Sequence, residues 1–319
     1  MEPDLQNAAE FNLIQNNNIK HPNDGDPHLE YSQAKSLVQI IASSFKIYKL
    51  GFVNIVSTSA ILSIPILLIT HLILLLLNES ITSNSPYQYF TNFVEDFGKI
   101  IIASALIHCV CQYYLSSKIS VSKAYTAVIQ RIFSVVQIAT LVSLALALMH
   151  LINFRLVLGL EKADNLAQEI KASGGDQITA NSTFQSNFPT QDLLISLVAL
   201  ILFFILSIYL INIINSIMVD GLNLNHAINQ TRNLLQKNWW RACGILLTIF
   251  CLGSIGEFIT IAAIRIPMVE LGLQETLSSQ ILYMFLNEIT FCLLILPLMV
   301  IAVTHLFFDL KARKQFSAY

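Results

Sequence analysis

The chain has 319 residues, 55% hydrophobic and only 12% charged, where a soluble domain carries roughly 25% charged residues. Mean hydropathy is +0.63 and the formal net charge is −2. Charges this sparse cannot coat a water-facing sphere of this size, and the balance leaves no electrostatic footprint for nucleic acid. A soluble globular enzyme, a disordered polyelectrolyte, a collagen and a disulfide-rich secreted module are thereby excluded.

Residues 1–34 are polar, with Asn16, Asn17, Asn18, Pro22 and Pro27. No basic stretch followed by an apolar one opens the chain, so this segment reads as a disordered tail without a cleavable signal peptide. A membrane domain is expected over 35–314, with 315–319 as a short C-terminal tail. Six apolar stretches fill it: 52–77, 98–116, 132–159, 193–219, 242–266 and 281–308. All but the second exceed the roughly 20 residues that cross a bilayer core as helix. The runs are continuous, whereas barrel strands alternate, so the expected fold class is all-α: a polytopic integral membrane protein with six transmembrane helices and interfacial amphipathic helices. Pro65 and Pro297 each remove a helix hydrogen bond and are expected to kink their spans. The five cysteines, Cys109, Cys111, Cys243, Cys251 and Cys292, all lie in apolar runs. An odd count in such surroundings reads as small packing residues rather than a disulfide framework.

The connecting loops set an orientation. Lys46 and Lys49 precede the first span, and Lys118, Lys123 and Arg131 separate the second from the third. Arg232, Lys237 and Arg241 separate the fourth from the fifth, and Lys311, Arg313 and Lys314 follow the sixth. The alternate loops are acidic, with Glu79, Glu95 and Asp96, then Glu161, Asp164, Glu169, Asp176 and Asp192, then Glu270 and Glu275. The positive-inside rule then puts both termini in the cytoplasm.

The chain also repeats itself. With Ala124 set on Ala227, residues 117–148 and 220–251 each read as a polar turn, an amphipathic segment, a basic residue and a span. The first segment places Ala124, Val128, Ile132 and Val135 on one face; the second places Leu224, Ala227, Ile228, Thr231, Leu234 and Leu235 there. A looser copy precedes the first span, with Leu37, Val38, Ile41, Phe45 and Tyr48 as its stripe. The repeats span 37–77, 117–159 and 220–266. Lysine and arginine at such places snorkel to anionic headgroups, and Trp239 and Trp240 sit where an aromatic belt belongs.

Three sets of residues carry a family resemblance: Ala227, Leu234 and Trp239; their counterparts Ala124 and Arg131; and the closing run from Pro297 through Thr304-His305-Leu306-Phe307-Phe308-Asp309-Leu310 to Lys311, Arg313 and Lys314. On these the chain, over about 37–314, resembles the bacterial membrane-domain family attached to some glycerophosphodiester phosphodiesterases, and its stand-alone relatives. The resemblance implies a six-helix domain in a bacterial inner membrane. It does not imply the phosphodiesterase chemistry, which needs a separate barrel of about 250 residues.

No phosphate loop, nucleotide-binding glycine turn or nucleophile elbow is present, and no catalytic residue, metal ligand set or cofactor is expected. His71, His108 and His305 are isolated, although Thr70-His71 and Thr304-His305 look alike. Glu257 and Glu288 are the sharper features, because an acid inside a span faces a protein interior, pairs or stays protonated. Arg265 and Arg155 are the expected partners. Expected function is therefore a non-enzymatic, membrane-organising protein associated with the lipid bilayer and with a membrane or cytoplasmic protein, without nucleic acid. The alternative is a small-solute transporter or channel that uses Glu257 and Glu288. A lipid-modifying enzyme would need an interfacial cluster, for which only His305 and Asp309 offer themselves.

Overall fold

The computed structural model describes residues 34–77, 86–116, 118–149, 190–270 and 277–316. The protein is an all-α polytopic membrane protein. Among the described residues there is no strand, and five helices are long and apolar enough to cross a bilayer, six if one bent pair is a single span. In chain order the helices are α1 (Leu37–Leu50), α2 (Phe52–Leu76), α3 (Pro86–Ser116), α4 (Val121–Gln130) and α5 (Ile132–Met149). They continue with α6 (Thr190–Asp220), α7 (Leu224–Leu235), α8 (Trp239–Glu270), α9 (Leu277–Thr290), a π-turn (Phe291–Ile295) and α10 (Leu296–Phe316). The bent pair is α3 and α4, which meet at 119°. The chain divides into two compact units, one of residues 1–140 with 208–319 and one of residues 141–207.

Each short amphipathic helix runs into a long apolar one. Ser36 starts α1 with a capping box: its hydroxyl accepts the Gln39 N–H at 3.3 Å, and the Gln39 side chain accepts the Ser36 N–H at 2.7 Å. Gly51 breaks α1 from α2 at φ −100° and ψ 12°, and Arg131 breaks α4 from α5 at φ −111° and ψ 19°. Residues 236–238 form the turn between α7 and α8. Ala124 and Ala227, matched in the sequence repeat, are both fully buried. Gly221, at φ 67°, supplies the left-handed turn between α6 and α7; a Cβ there would lie 3.2 Å from the Arg131 guanidinium.

α1 turns small and branched side chains, not its apolar stripe, toward the bundle. Its buried side is Ile40, Ser43, Ser44 and Ile47, whereas Val38 and Phe45 of the expected stripe are 74% and 54% exposed. The physical reason is the solvent. Lipid accepts apolar side chains as readily as a protein interior does, so contacts between helices go to small and polar residues. α2 obeys the same rule: Thr58, Ser59, Ser63, Thr70 and His71 are buried, and Leu68, Ile69 and Leu72 face outward. In the second unit, Leu194, Leu197, Ile201 and Leu202 are likewise exposed.

The last span is interrupted where the sequence reads as one run. In a continuous α-helix the Leu293 carbonyl would take the N–H of residue 297, and Pro297 has none. The chain shifts to π register, with the Leu296 N–H bonding the Phe291 carbonyl, and the Tyr48 hydroxyl donates to Leu293 at 3.4 Å. Burial raises the Tyr48 phenol above its ordinary pKa. α1 therefore runs antiparallel to the last span, meeting Asp309 near its start, through Lys35, and Leu293 near its end.

A double-mutant cycle tests this bond. Tyr48→Phe should lower stability by about 1 kcal/mol. In a Pro297→Ala background, where an N–H is restored for Leu293, the same change should cost less by about 0.5 kcal/mol. Equal losses in both backgrounds, read by thermal unfolding in detergent, would separate Tyr48 from the π-turn.

Candidate functional site

Two polar clusters occupy the first unit, separated along the last span by about 30 Å of helix at a 1.5 Å rise per residue. The first joins α2, α3 and α9. Thr91, Glu95 and Lys99 recur every fourth residue on α3 and so share a face. That face meets Thr70 and His71 on α2 because Gly98 lets the two helices close: a Cβ on Gly98 would lie 2.5 Å from the Ile66 Cδ1. The Thr70 hydroxyl donates to Glu95 Oε1 at 2.7 Å. His71 Nδ1 is 2.9 Å from the Leu67 carbonyl and 3.7 Å from Glu95 Oε1. A carbonyl only accepts, so the proton of a neutral His71 sits on Nδ1 and leaves Nε2 as a lone pair. Nε2 is buried and has no hydrogen-bond partner, with the Phe285 ring edge-on at 5.7 Å.

Lys99 completes the cluster. Its ammonium is 3.0 Å from Glu288 Oε2 and 3.8 Å from Asp96 Oδ1, and it lies 5.8 Å from the Phe291 ring centroid. Phe291 opens the π-turn, a distortion that recurs at functional sites in helices. The lysine is thus engaged by Glu288 and Asp96. The carboxylate of Glu95, 9% exposed, faces a hydroxyl and a histidine. A proton taken by Glu95 or His71 changes the balance of a site with little access to water.

The second cluster ties the chain together at the basic end. The Asp309 side chain is fully buried. It accepts the Lys35 backbone N–H at 2.7 Å, Arg241 Nε at 2.7 Å and Arg313 Nε at 3.1 and 3.2 Å. The Lys35 carbonyl in turn accepts from Arg241 Nη2 and from Arg313 Nη2 at 3.4 Å. The Lys35 ammonium reaches Ser43 Oγ at 3.3 Å and the Tyr114 hydroxyl at 3.5 Å, and Tyr114 touches His305 Nδ1 at 3.2 Å. Alongside, Asp220 pairs with Lys311 at 2.6 Å and accepts from Gln230 at 2.8 Å. Arg131 bonds the Met218 carbonyl at 3.0 Å.

Of the acids and cations singled out in sequence, Glu288 is in the first cluster, with Lys99 as its cation. Glu257 and Arg265 lie on α8; Glu257 is half-buried and Arg265 exposed, and neither makes an ion pair or hydrogen bond with the other or with Glu288 among the described residues. Arg155 lies outside the described residues. Among the described residues Glu288 is paired with Lys99 rather than with Arg265, and Lys99 shares its helix face with Glu95, beside His71. Glu95 and Asp96, expected in an acidic loop, lie on α3 together with Lys99. The fourfold spacing of Thr91, Glu95 and Lys99 was the signal that marked a buried face. His305 and Asp309 are brought together at one end, with Tyr114, Lys35 and two arginines around them. Among the described residues no three His, Cys, Asp or Glu side chains converge to hold a metal ion.

Comparison with family models, curated proteins and solved structures gave no match. The site must be read from its own geometry.

Removing the Asp309 carboxylate leaves two guanidinium groups and an N–H without their shared acceptor. Asp309→Ala should cost about 3–5 kcal/mol, read by thermal unfolding in detergent, and Asp309→Asn less. A loss below about 1 kcal/mol for Asp309→Ala would mean that the arginines find other acceptors at once.

Proposed function

We propose that the protein is a carrier that moves a small solute across the membrane together with protons, and that its ion-binding site is the cluster of His71, Glu95, Lys99 and Glu288. The observation that carries this reading is the His71 imidazole. It sits inside the spanning helices, its Nδ1 engaged by the Leu67 carbonyl and 3.7 Å from the Glu95 carboxylate, and its buried Nε2 without a hydrogen-bond partner among the described residues. Ionisable groups inside spans are costly and by default mark ion or proton pathways. The π-turn at Phe291–Ile295, next to Glu288, gives the same span a weak point at which to bend. No catalytic residue or cofactor enters this reading.

The second reading is a non-enzymatic, membrane-organising protein of the stand-alone family that the sequence resembles. The outward apolar residues Ile129, Phe133 and Trp240, 67%, 84% and 84% exposed, favour it. They lie at or beside the breaks between short and long helices, where lipid headgroups and a partner protein are within reach. In both readings the termini lie in the cytoplasm, supported by the alternation of basic and acidic loops, and the membrane is a bacterial inner membrane, supported by the family resemblance alone.

Proteoliposomes loaded with a pH-sensitive dye, under an imposed pH gradient, separate the two. A panel of amines, amino acids and alkali cations should contain a class that dissipates the gradient only when the protein is present. Glu95→Gln and Glu288→Gln should abolish this, because glutamine keeps the shape but cannot ionise, while Glu257→Gln should behave as wild type. No dissipation by any class, or full activity in both glutamine variants, would sink the carrier reading.

Orientation has its own measurement. An impermeant thiol reagent applied to intact cells, in a background without the native cysteines, should label a cysteine placed at Ser173 and spare one placed at Lys118. The reverse pattern would overturn the orientation.

A further inference from the structure

We infer that Arg241 and Arg313 form a binding site for the phosphate of an anionic membrane lipid at the basic end of the bundle. The site is independent of solute movement and shares no residue with the first cluster.

The argument starts from the donors. A guanidinium carries five N–H groups in a plane. Arg241 uses Nε on Asp309 Oδ2 and Nη2 on the Lys35 carbonyl. Arg313 uses Nε on both Asp309 oxygens and Nη2 on the same carbonyl. Among the described residues, Nη1 of each has no partner. One carboxylate and one carbonyl thus fix the inner edges of two guanidinium groups and leave their outer nitrogens available. The burial follows the same division. The Asp309 side chain is fully buried, whereas those of Arg241 and Arg313 are 30% and 34% exposed.

Charge gives the sign of the ligand. Two guanidinium groups share a single carboxylate, so one positive charge is left over. An anion with several oxygens in fork geometry answers both the charge and the free nitrogens, and phosphate is the group that arginine pairs bind in this way. Asp309 then serves to aim the arginines as well as to balance one of them.

The surroundings give the source of the phosphate. Trp240 stands immediately before Arg241 and is 84% exposed; Val38, one turn after Lys35, is 74% exposed. Both arginines lie at the ends of spanning helices, Arg241 near the start of α8 and Arg313 near the end of α10. An exposed tryptophan at a span terminus belongs at headgroup depth. Exposed apolar side chains at the helix ends that carry the arginines fit a phosphate that arrives with acyl chains attached, not one that arrives hydrated. We therefore commit to a lipid such as phosphatidylglycerol, whose phosphate charge is not offset by a choline or an amine.

Native mass spectrometry of the full chain in detergent tests this, titrated in turn with phosphatidylglycerol, phosphatidylcholine and inorganic phosphate. The wild type should retain phosphatidylglycerol in preference to phosphatidylcholine, and inorganic phosphate should not displace it. Arg313→Gln should weaken phosphatidylglycerol binding about tenfold, a loss of one charge-assisted contact, and leave phosphatidylcholine unchanged. Arg313→Lys should not restore it, since lysine supplies charge without the fork. Equal retention of both lipids, displacement by inorganic phosphate, or unchanged binding in Arg313→Gln would each overturn the proposal. Should Arg313→Gln fail to fold, footprinting of the wild type with phenylglyoxal stands in. Phosphatidylglycerol should slow modification of Arg241 and Arg313 but not of the exposed Arg232; no difference among the three would overturn the site.

Discussion

A single buried carboxylate holds together parts of the chain that are far apart in sequence. Asp309 accepts from the segment before α1, from the third residue of α8 and from one turn further along its own helix. In the interior of a membrane protein such an acid would be a heavy liability alone. With an amide and two guanidinium groups around it, its lone pairs are satisfied, and its partners cannot leave singly without exposing the rest. The register of α1 against α10, the position at which α8 enters the bundle and the path of the chain at residues 34–36 all depend on it.

Lipid explains why the spans were easier to read than their faces. Continuous apolar runs announced the long helices, and the short amphipathic leads before α2, α5 and α8 were visible as stripes preceding a charge. Which side of each helix meets protein was not visible from hydrophobicity. Val38 and Phe45, on the apolar stripe expected to lie in the membrane interface, are exposed, while Ser43 and Ser44 on the other side are buried. In water the apolar side turns inward; in a bilayer both sides are apolar and the distinction passes to small and hydrogen-bonding side chains. The interruption of the last span was legible only in part. Pro297 promised a kink, but the shift to π register needed Tyr48, 245 residues away in sequence, to take the released carbonyl.

The polar clusters show the same limit. Glu288 was recognisable from sequence because it interrupts an apolar run. Its cation was not, since Lys99 stands at the border of a weakly apolar helix and looks like a flanking charge. His71 carried no spacing that would link it to Glu95; only the packing of α2 on α3 across Gly98 joins them. Asp309 and His305 stood out in the closing run, yet their partners come from three other segments. Residue type and local periodicity identify the members of such sites, whereas their pairing is decided by helix neighbours that a linear pattern does not record.

The antiparallel course of α1 beside the last span has a mechanical consequence. The helix is fastened near one end through Lys35 to Asp309 and near the other through Tyr48 to Leu293, and these two anchorage points lie on opposite sides of Pro297. It is a strut laid across a joint. Straightening the span at that joint lengthens the distance between the anchorages on one side, and a rigid α-helix does not stretch to follow. The joint therefore bends only as far as the tyrosine bond can give, or the strut slides and carries the segment at residues 34–36 with it. Movement beside Glu288 is in this way geared to the polypeptide that enters the bundle at the opposite end.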